Sequence, residues 1–353
     1  MNLYVHFPFC RRKCTYCALH SRAGSSAEAR AAYVSRLAGE AGALGQTFKT
    51  VYFGGGSPAL CDLRPLFRAL EPKMTGETEF TVELHPLDAT REKLAELKAG
   101  GVNRISMGVQ SLDDAVLAHM GRGYTFLEAE RAFRLARDCF DNAGIDIIEG
   151  YPRIEGGDAP RSGTALSPRW ERLGEWGLRH CSVYSLILEE KSILARQLAR
   201  GRTPRLAVPG DDAVLDGIKA VSRRLAEMGL KRYEISNYAM PGYECRHNMA
   251  VWRGEDYIGL GEGAHGRIGL TRTYNTPAGT GAETERLSPE EDEKERLVFR
   301  LRTVEGIDAT GRPEWGRTLD KFAAEGLVEK SGRVYRLTER GTEVCDSILA
   351  ELV

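Results

Sequence analysis

The chain has 353 residues and sets 49 Lys and Arg against 50 Asp and Glu, a net charge of -1. That length exceeds the usual single domain but suits a barrel of α/β units carrying a small appendage. The near-zero charge leaves no global field to attract nucleic acid or an anionic membrane, and no apolar run approaches the roughly 20 residues that cross a bilayer, so neither nucleic acid nor a transmembrane segment is expected.

Met1-Asn2-Leu3 runs without a basic, apolar leader into a first strand at residues 3–7, which leads to the expectation of a cytoplasmic protein. Directly after it comes Cys10-Arg-Arg-Lys-Cys14-Thr-Tyr-Cys17. Three thiolates at this spacing can hold three corners of a cubane iron-sulfur cluster and leave the fourth iron open for a ligand. The same triad with His6 or His20 would also make a structural zinc site. Arg11-Arg12-Lys13 could offset the negative charge of a thiolate-bound cluster, receive an acidic electron donor, or simply sit at a solvated loop tip. The other five cysteines (Cys61, Cys139, Cys181, Cys245 and Cys345) show no pairing rhythm and read as small buried hydrophobes of a reduced compartment.

Short apolar runs then alternate with longer helical patterns, the mark of repeated strand-helix units on a parallel sheet. Ser25-Ser26-Ala27-Glu28 reads as a capping box opening a helix to about residue 44. A second strand at 50–53 ends in Gly54-Gly55-Gly56-Ser57-Pro58, where glycines let the backbone meet a ligand closely; a tight turn is the plain alternative. Strands follow at 79–84, with Glu83 near the end, at 103–107, leading to Gln110, and at 145–149, with Asp146 inside it. Arg122 follows a short helix. Polar residues recurring at the ends of successive strands suggest one shared binding face.

A sixth strand at 181–188 and helices at 192–200 and 211–228 complete an open, about six-unit TIM-type barrel, which with its following loop and strand segment takes up residues 1–270. Gly259-Leu260-Gly261-Glu262-Gly263 lacks the strand-turn-helix frame of a dinucleotide loop. Residues 271–287, rich in Thr, Gly, Pro and Asn, read as a linker. Ser288-Pro289-Glu290-Glu291 then caps a helix, and with a second helix at 315–325, a hairpin turning at 331–332 and a closing helix from 339 it makes a small winged-helix-like domain at 288–353. The absence of a basic recognition stripe favours a covering or partner-binding role for it over DNA binding.

Taken together, Tyr4-Val5-His6-Phe7-Pro8-Phe9-Cys10, the cysteine triad, Gly-Gly-Gly-Ser-Pro at 54–58, the run from Asn103 to Ser111, Glu234-Ile235-Ser236-Asn237-Tyr238-Ala239, His247-Asn248 and the stretch at 301–306 resemble the HemW/HemN branch of radical S-adenosylmethionine (SAM) proteins. This branch comprises oxygen-independent coproporphyrinogen III oxidases and their haem-chaperone relatives. The resemblance implies a 4Fe-4S cluster on Cys10, Cys14 and Cys17, with SAM chelating the open iron. It implies that Tyr4, Tyr16, Gly55, Gly56 and Ser57 surround SAM and that Glu83, Gln110, Arg122 and Asp146 bind its ribose, carboxylate and neighbouring groups.

The oxidase branch has a fourth Cys where this chain has Leu19, and an extension ahead of the first strand. Both differences favour a haem chaperone over the oxidase, with haem or a porphyrinogen, a reducing electron donor and haem-accepting proteins as the implied partners. The branch's His-Asn-x-x-Tyr-Trp stretch reads His247-Asn248-Met249-Ala250-Val251-Trp252, leaving His247 as an axial ligand for haem or as a histidine satisfied internally. Glu149 and Tyr151 replace the family's aromatic residue and Leu, and the run after Arg153 lacks the usual Gly-Gln-Thr. A zinc or iron-sulfur structural module without SAM chemistry is the reading from a different class.

Overall fold

The computed structural model describes residues 1–154, 166–200, 206–277 and 281–352. Its framework is six parallel strands laid side by side in chain order: β1 (Asn2–Phe7), β2 (Thr50–Gly55), β3 (Glu79–Leu84), β4 (Arg104–Gln110), β5 (Asn142–Glu149) and β6 (His180–Ser185). Helices connect them, among them α1 (Ala27–Ala43), α2 (Arg64–Leu70), α3 (Arg91–Ala99), α4 (Asp114–Met120) and α5 (Phe126–Cys139). The six expected units are present. The cap of α1 falls one residue later than expected, on Ser26, whose hydroxyl accepts from the Ala29 amide.

Through most of their length the strands alternate, as the two-residue period of a pleated strand requires. Leu3, Val5 and Phe7, Val51 and Phe53, Phe80 and Val82, Ile105 and Met107, and Ile145 and Cys181 are buried in one core with the helices. The intervening positions carry Asn2, Tyr4 and His6, Thr50 and Tyr52, Thr81 and Glu83, Arg104 and Ser106, Asp146, and His180 and Ser182. A parallel sheet covered by apolar layers on both faces would show continuous hydrophobic runs. The polar face therefore looks into the interior of an open barrel, where many of its groups bond one another.

The sheet continues past the six units at both edges. Antiparallel β7 (Asn237–Ala239) pairs with β6, while β8 (Tyr257–Leu260) lies parallel to β1 and leads into an antiparallel meander of β9 (His265–Ile268), β10 (Thr271–Asn275) and β11 (Ala282–Arg286). The stretch expected as a linker at 271–287 is thus mostly sheet, apart from residues 278–280, which lie outside the described residues. Its threonines are β-branched and pack well on a pleated surface, and Arg272 bonds Glu285 across the pair.

The C-terminal segment has its own core of Leu297, Leu301, Ile307, Leu319, Val328, Tyr335, Ile348 and Leu349. It is built from a helix Pro289–Leu301, whose Ser288 and Glu291 form the expected capping box, a helix Pro313–Ala324 and a three-stranded sheet that includes the hairpin Val328–Ser331 and Val334–Leu337. The closing helix is two short ones, Glu339–Glu343 and Cys345–Ala350, broken at Val344. No helix among the described residues is long and apolar enough to cross a membrane.

Candidate functional site

The cysteine loop leaves the C-terminal end of β1, where α/β barrels place their sites. Its stem is closed by a two-residue pairing of Phe9–Cys10 with Arg22–Ala23, and the Arg22 amide donates to the Pro8 carbonyl at 2.7 Å. Lys13 Nζ reaches back to the Leu19 carbonyl at 2.7 Å and Ser21 Oγ at 2.8 Å, drawing the loop into a compact turn. Arg11 is held by Asp88 Oδ1, and the other oxygen of that buried carboxylate accepts from Ser57 Oγ at 2.5 Å.

All eight cysteines are free thiols; Cys10, Cys14 and Cys17 are half-buried, whereas Cys61, Cys181, Cys245 and Cys345 are buried. Burial pushes the Cys10 and Cys17 thiols up, so a metal's positive charge is what would draw out their thiolates. The Arg122 guanidinium lies with Nη1 3.3 Å from Cys14 Sγ. Among the described residues no three Cys, His, Asp or Glu side chains close around a single ion. His6 is engaged at both ring nitrogens, with Tyr4 OH at 3.0 Å and the His20 carbonyl at 2.9 Å, and His20 faces Glu262. Three thiols strung along one loop, beside a guanidinium and an ammonium, fit an anionic polynuclear cluster with one separate iron per sulfur.

The glycine turn after β2 lies directly on the stem of this loop. The amides of Gly56 and Ser57 donate to the carbonyls of Phe7 and Phe9, both at 2.7 Å. A Cβ on Gly56 would stand 2.4 Å from the Phe9 oxygen, and one on Gly55, whose φ is +100°, would strike the His6 ring at 2.5 Å. These two positions admit only glycine. Ser57, expected beside SAM, spends its hydroxyl on Asp88 instead.

On the inner face Glu83 accepts from Tyr52 OH at 2.9 Å and from the Gly55 amide at 3.1 Å. Burial, with the charge of Asp146 added, pushes its carboxyl up to about 7. Burial also raises Asp146, against the opposing bonds from Ser182 and Ser106, the latter 3.0 Å away. Gln110 has φ +70°, and among the described residues it is the non-glycine residue held in that region; it sits at a register shift of β4 against β5. Such backbone strain costs about 1–3 kcal/mol and persists where the surroundings enforce it. Arg122 is fully engaged, giving Nε to Tyr124 OH, Nη2 to the Gly108 carbonyl and Nη1 to Cys14. Tyr16 packs with Val116, Met120, Tyr151 and Leu194 behind the loop.

Tyr4, Tyr16, Gly55, Gly56, Ser57, Glu83, Gln110, Arg122 and Asp146 thus lie on β1 to β5 and the loops that follow them, with Arg122 in contact with Cys14. His247 stands at the edge of this group, its ring 6.4 Å from that of Tyr4. It lies on α6 (Arg246–Trp252), 5% exposed, with Nδ1 2.8 Å from the Oγ1 of Thr50, the first residue of β2, and its backbone amide on Glu79 Oε1 at 3.0 Å. Five strand steps separate Thr50 from Gly55, about 16 Å. Burial, with Arg104 nearby, depresses the His247 imidazole to about 3. Asp88, which bonds Arg11 and Ser57, and His119, whose carbonyl accepts from Thr15, also support the loop. For Asp88 the one available signal was its place just beyond the C-terminal end of β3.

A three-cysteine loop leaving the first strand of an open α/β barrel, with glycines and carboxylates on the adjoining strand ends, is a radical SAM arrangement, and residues 4–156 match the Radical SAM superfamily model. Over its whole length the chain is similar to the Heme chaperone HemW of Bacillus subtilis, at 33% identity over 99% of this chain and 100% of the relative. It is also similar to that of Escherichia coli, at 30% identity over 99% and 97% of the two chains. The chain belongs to the radical SAM superfamily and, within it, to the HemW family. The solved coproporphyrinogen III oxidase (HemN) of Escherichia coli shares the fold, with a TM-score of 0.82 over 99% of this chain and 89% of that one at 20% identity.

Proposed function

We propose that this protein is a haem chaperone that binds a 4Fe-4S cluster and SAM, takes up haem and passes it to haem proteins. The observation that carries the reading is the end-to-end similarity to proteins named haem chaperones, in a chain whose first loop bears three cysteines and has Leu19 where a fourth would stand. Cys10, Cys14 and Cys17 would hold the cluster, whose chemistry when bound is one-electron reduction of the sulfonium cofactor.

The chain's own residues would do the rest. Gly55 and Gly56 let the backbone approach the cofactor, while Glu83 and Asp146 would accept hydrogen bonds from sugar hydroxyls. Tyr4, Tyr16 and Gln110 would line the same chamber, and Ser57 would hold the wall through Asp88. Arg122 would balance the charge on Cys14. The reducing electron donor and the haem-accepting proteins are further partners of this reading, and a cytoplasmic location accords with it.

The oxidase reading draws support from the fold shared with coproporphyrinogen III oxidase. Glu149 and Tyr151, on the substrate side, weigh against it. Anaerobically reconstituted protein, titrated with haem and assayed in parallel for SAM cleavage and for carbon dioxide release from coproporphyrinogen III, separates the two. A saturable Soret change without decarboxylation supports the chaperone. Decarboxylation supports the oxidase, and zinc in place of iron would support a structural module.

A further inference from the structure

We propose that Tyr151 is a positioning residue for the iron-sulfur cluster, fixing the Cys14 to Cys17 half of the loop through a closed ring of hydrogen bonds with His119 and Thr15. The proposal rests on the cluster reading above and concerns a residue at which this chain departs from its family.

Three atoms from distant parts of the chain meet behind the loop. Tyr151 OH lies 2.8 Å from Thr15 Oγ1 and 2.6 Å from His119 Nδ1, and Thr15 Oγ1 lies 3.2 Å from the His119 carbonyl. One proton arrangement satisfies every contact. His119 Nδ1–H donates to Tyr151, Tyr151 O–H donates to Thr15, and Thr15 O–H donates to the His119 carbonyl, closing the ring. Burial, eased by the Thr15 bond and reinforced by the nearby Cys14, holds the Tyr151 phenol at about 12, so it remains a donor.

The backbone of Thr15 is pinned as well. Its amide donates to the Met120 carbonyl at 3.1 Å, and its carbonyl accepts from the Leu194 amide at 2.7 Å. Thr15 separates Cys14 from Tyr16 and Cys17, so an atom that fixes Thr15 fixes the direction in which both thiols leave the chain. Tyr151 itself is 7% exposed in an apolar nest with Val116, Met120 and Leu194 and cannot swing away. A Leu at this position would fill the nest but leave Thr15 and His119 without the bridging hydroxyl.

The test compares wild type, Tyr151→Phe, Thr15→Val, Thr15→Ser and the Y151F/T15V double variant, each reconstituted anaerobically. The readouts are iron and sulfide per chain, the EPR signal of the reduced cluster, the rate of cluster loss to a chelator, and the thermal midpoint. Y151F and T15V are expected to lose the cluster about fivefold faster, the worth of one hydrogen bond, with an altered EPR signal. T15S should behave as wild type, and the double variant should be no worse than either single one, because all break the same ring.

Wild-type rates and spectra in Y151F would overturn the proposal, as would multiplying losses in the double variant. A lowered thermal midpoint beside an unchanged cluster would overturn it too, since Tyr151 would then serve only packing. If the wild-type chain itself took up no iron, the cluster reading would fail, and that result is distinct from equal clusters in all variants.

Discussion

The Arg122 guanidinium stands 3.3 Å from the sulfur of Cys14, and its two remaining nitrogens are tied to Tyr124 and Gly108. A fixed positive charge at a cluster thiolate favours the more negative, reduced state, so it raises the reduction potential. Arg122→Met should therefore lower the potential by about 60 mV or more, the one-electron equivalent of a charge-assisted hydrogen bond. EPR-monitored potentiometry measures it directly; an unchanged potential would show that the charge is screened from the cluster.

Asp88 joins three segments at one carboxylate, with Arg11 from the cysteine loop on one oxygen and Ser57 from the glycine turn on the other. The carboxylate is buried while Arg11 is half exposed, so the Ser57 bond carries most of the value. Asp88→Ala should cost about 1–3 kcal/mol in denaturant unfolding of the metal-free protein, the penalty for stranding a buried partner. Ser57→Ala, which leaves the Arg11 pair, should cost less. Equal losses would put all of the strength in the Ser57 bond, and a negligible loss in Ser57→Ala would put it in the Arg11 pair.

The barrel was legible in the sequence because short strands with apolar residues at alternate positions recur between helical patterns, and because Glu83 and Gln110 stand where strands end. The meander at 265–286 was not, since its threonines and asparagine serve turns and strands alike, and pairing such as that of Thr273 with Thr284 is decided by neighbours far along the chain. The supports of the cysteine loop escaped for the same reason. Asp88 stands 77 residues from Arg11, and Tyr151 stands 136 from Thr15. Tyr151 was visible only as a departure from its family, because a hydroxyl's partner cannot be read from the residue that bears it.

Glu83 gives the fold a pH dependence with a defined sign. Its folded carboxyl sits at about 7 against an ordinary 4.5, so between these values the folded chain holds a proton that the unfolded chain has released. The stabilisation is complete below pH 4.5 and is lost as pH rises through 7. His85 and His247, both depressed to about 3, act oppositely: their contribution is present above pH 6.5 and is lost as pH falls toward 3. Subtracting the Glu83→Gln curve from wild type cancels the histidines. The difference for metal-free protein should decline from pH 4.5 to 7 and level off above; a flat difference would mean that Glu83 ionises freely.

His247 separates an internal role from haem ligation. Its Nδ1 and its backbone amide are committed to Thr50 and Glu79, its ring lies 5.1 Å from that of Tyr52, and it sits at the opposite end of β2 from the glycine turn. That geometry supports a histidine satisfied inside the protein. His247→Ala should then leave the Soret change on haem titration, and its midpoint, as in wild type, while lowering stability by about 1–3 kcal/mol through the lost packing and the lost bond to Thr50, whose hydroxyl still donates to Asn2 Oδ1 at 2.9 Å. The opposite pattern, a lost Soret shift with stability intact, would make His247 the axial ligand and require α6 to move away from β2 when haem binds.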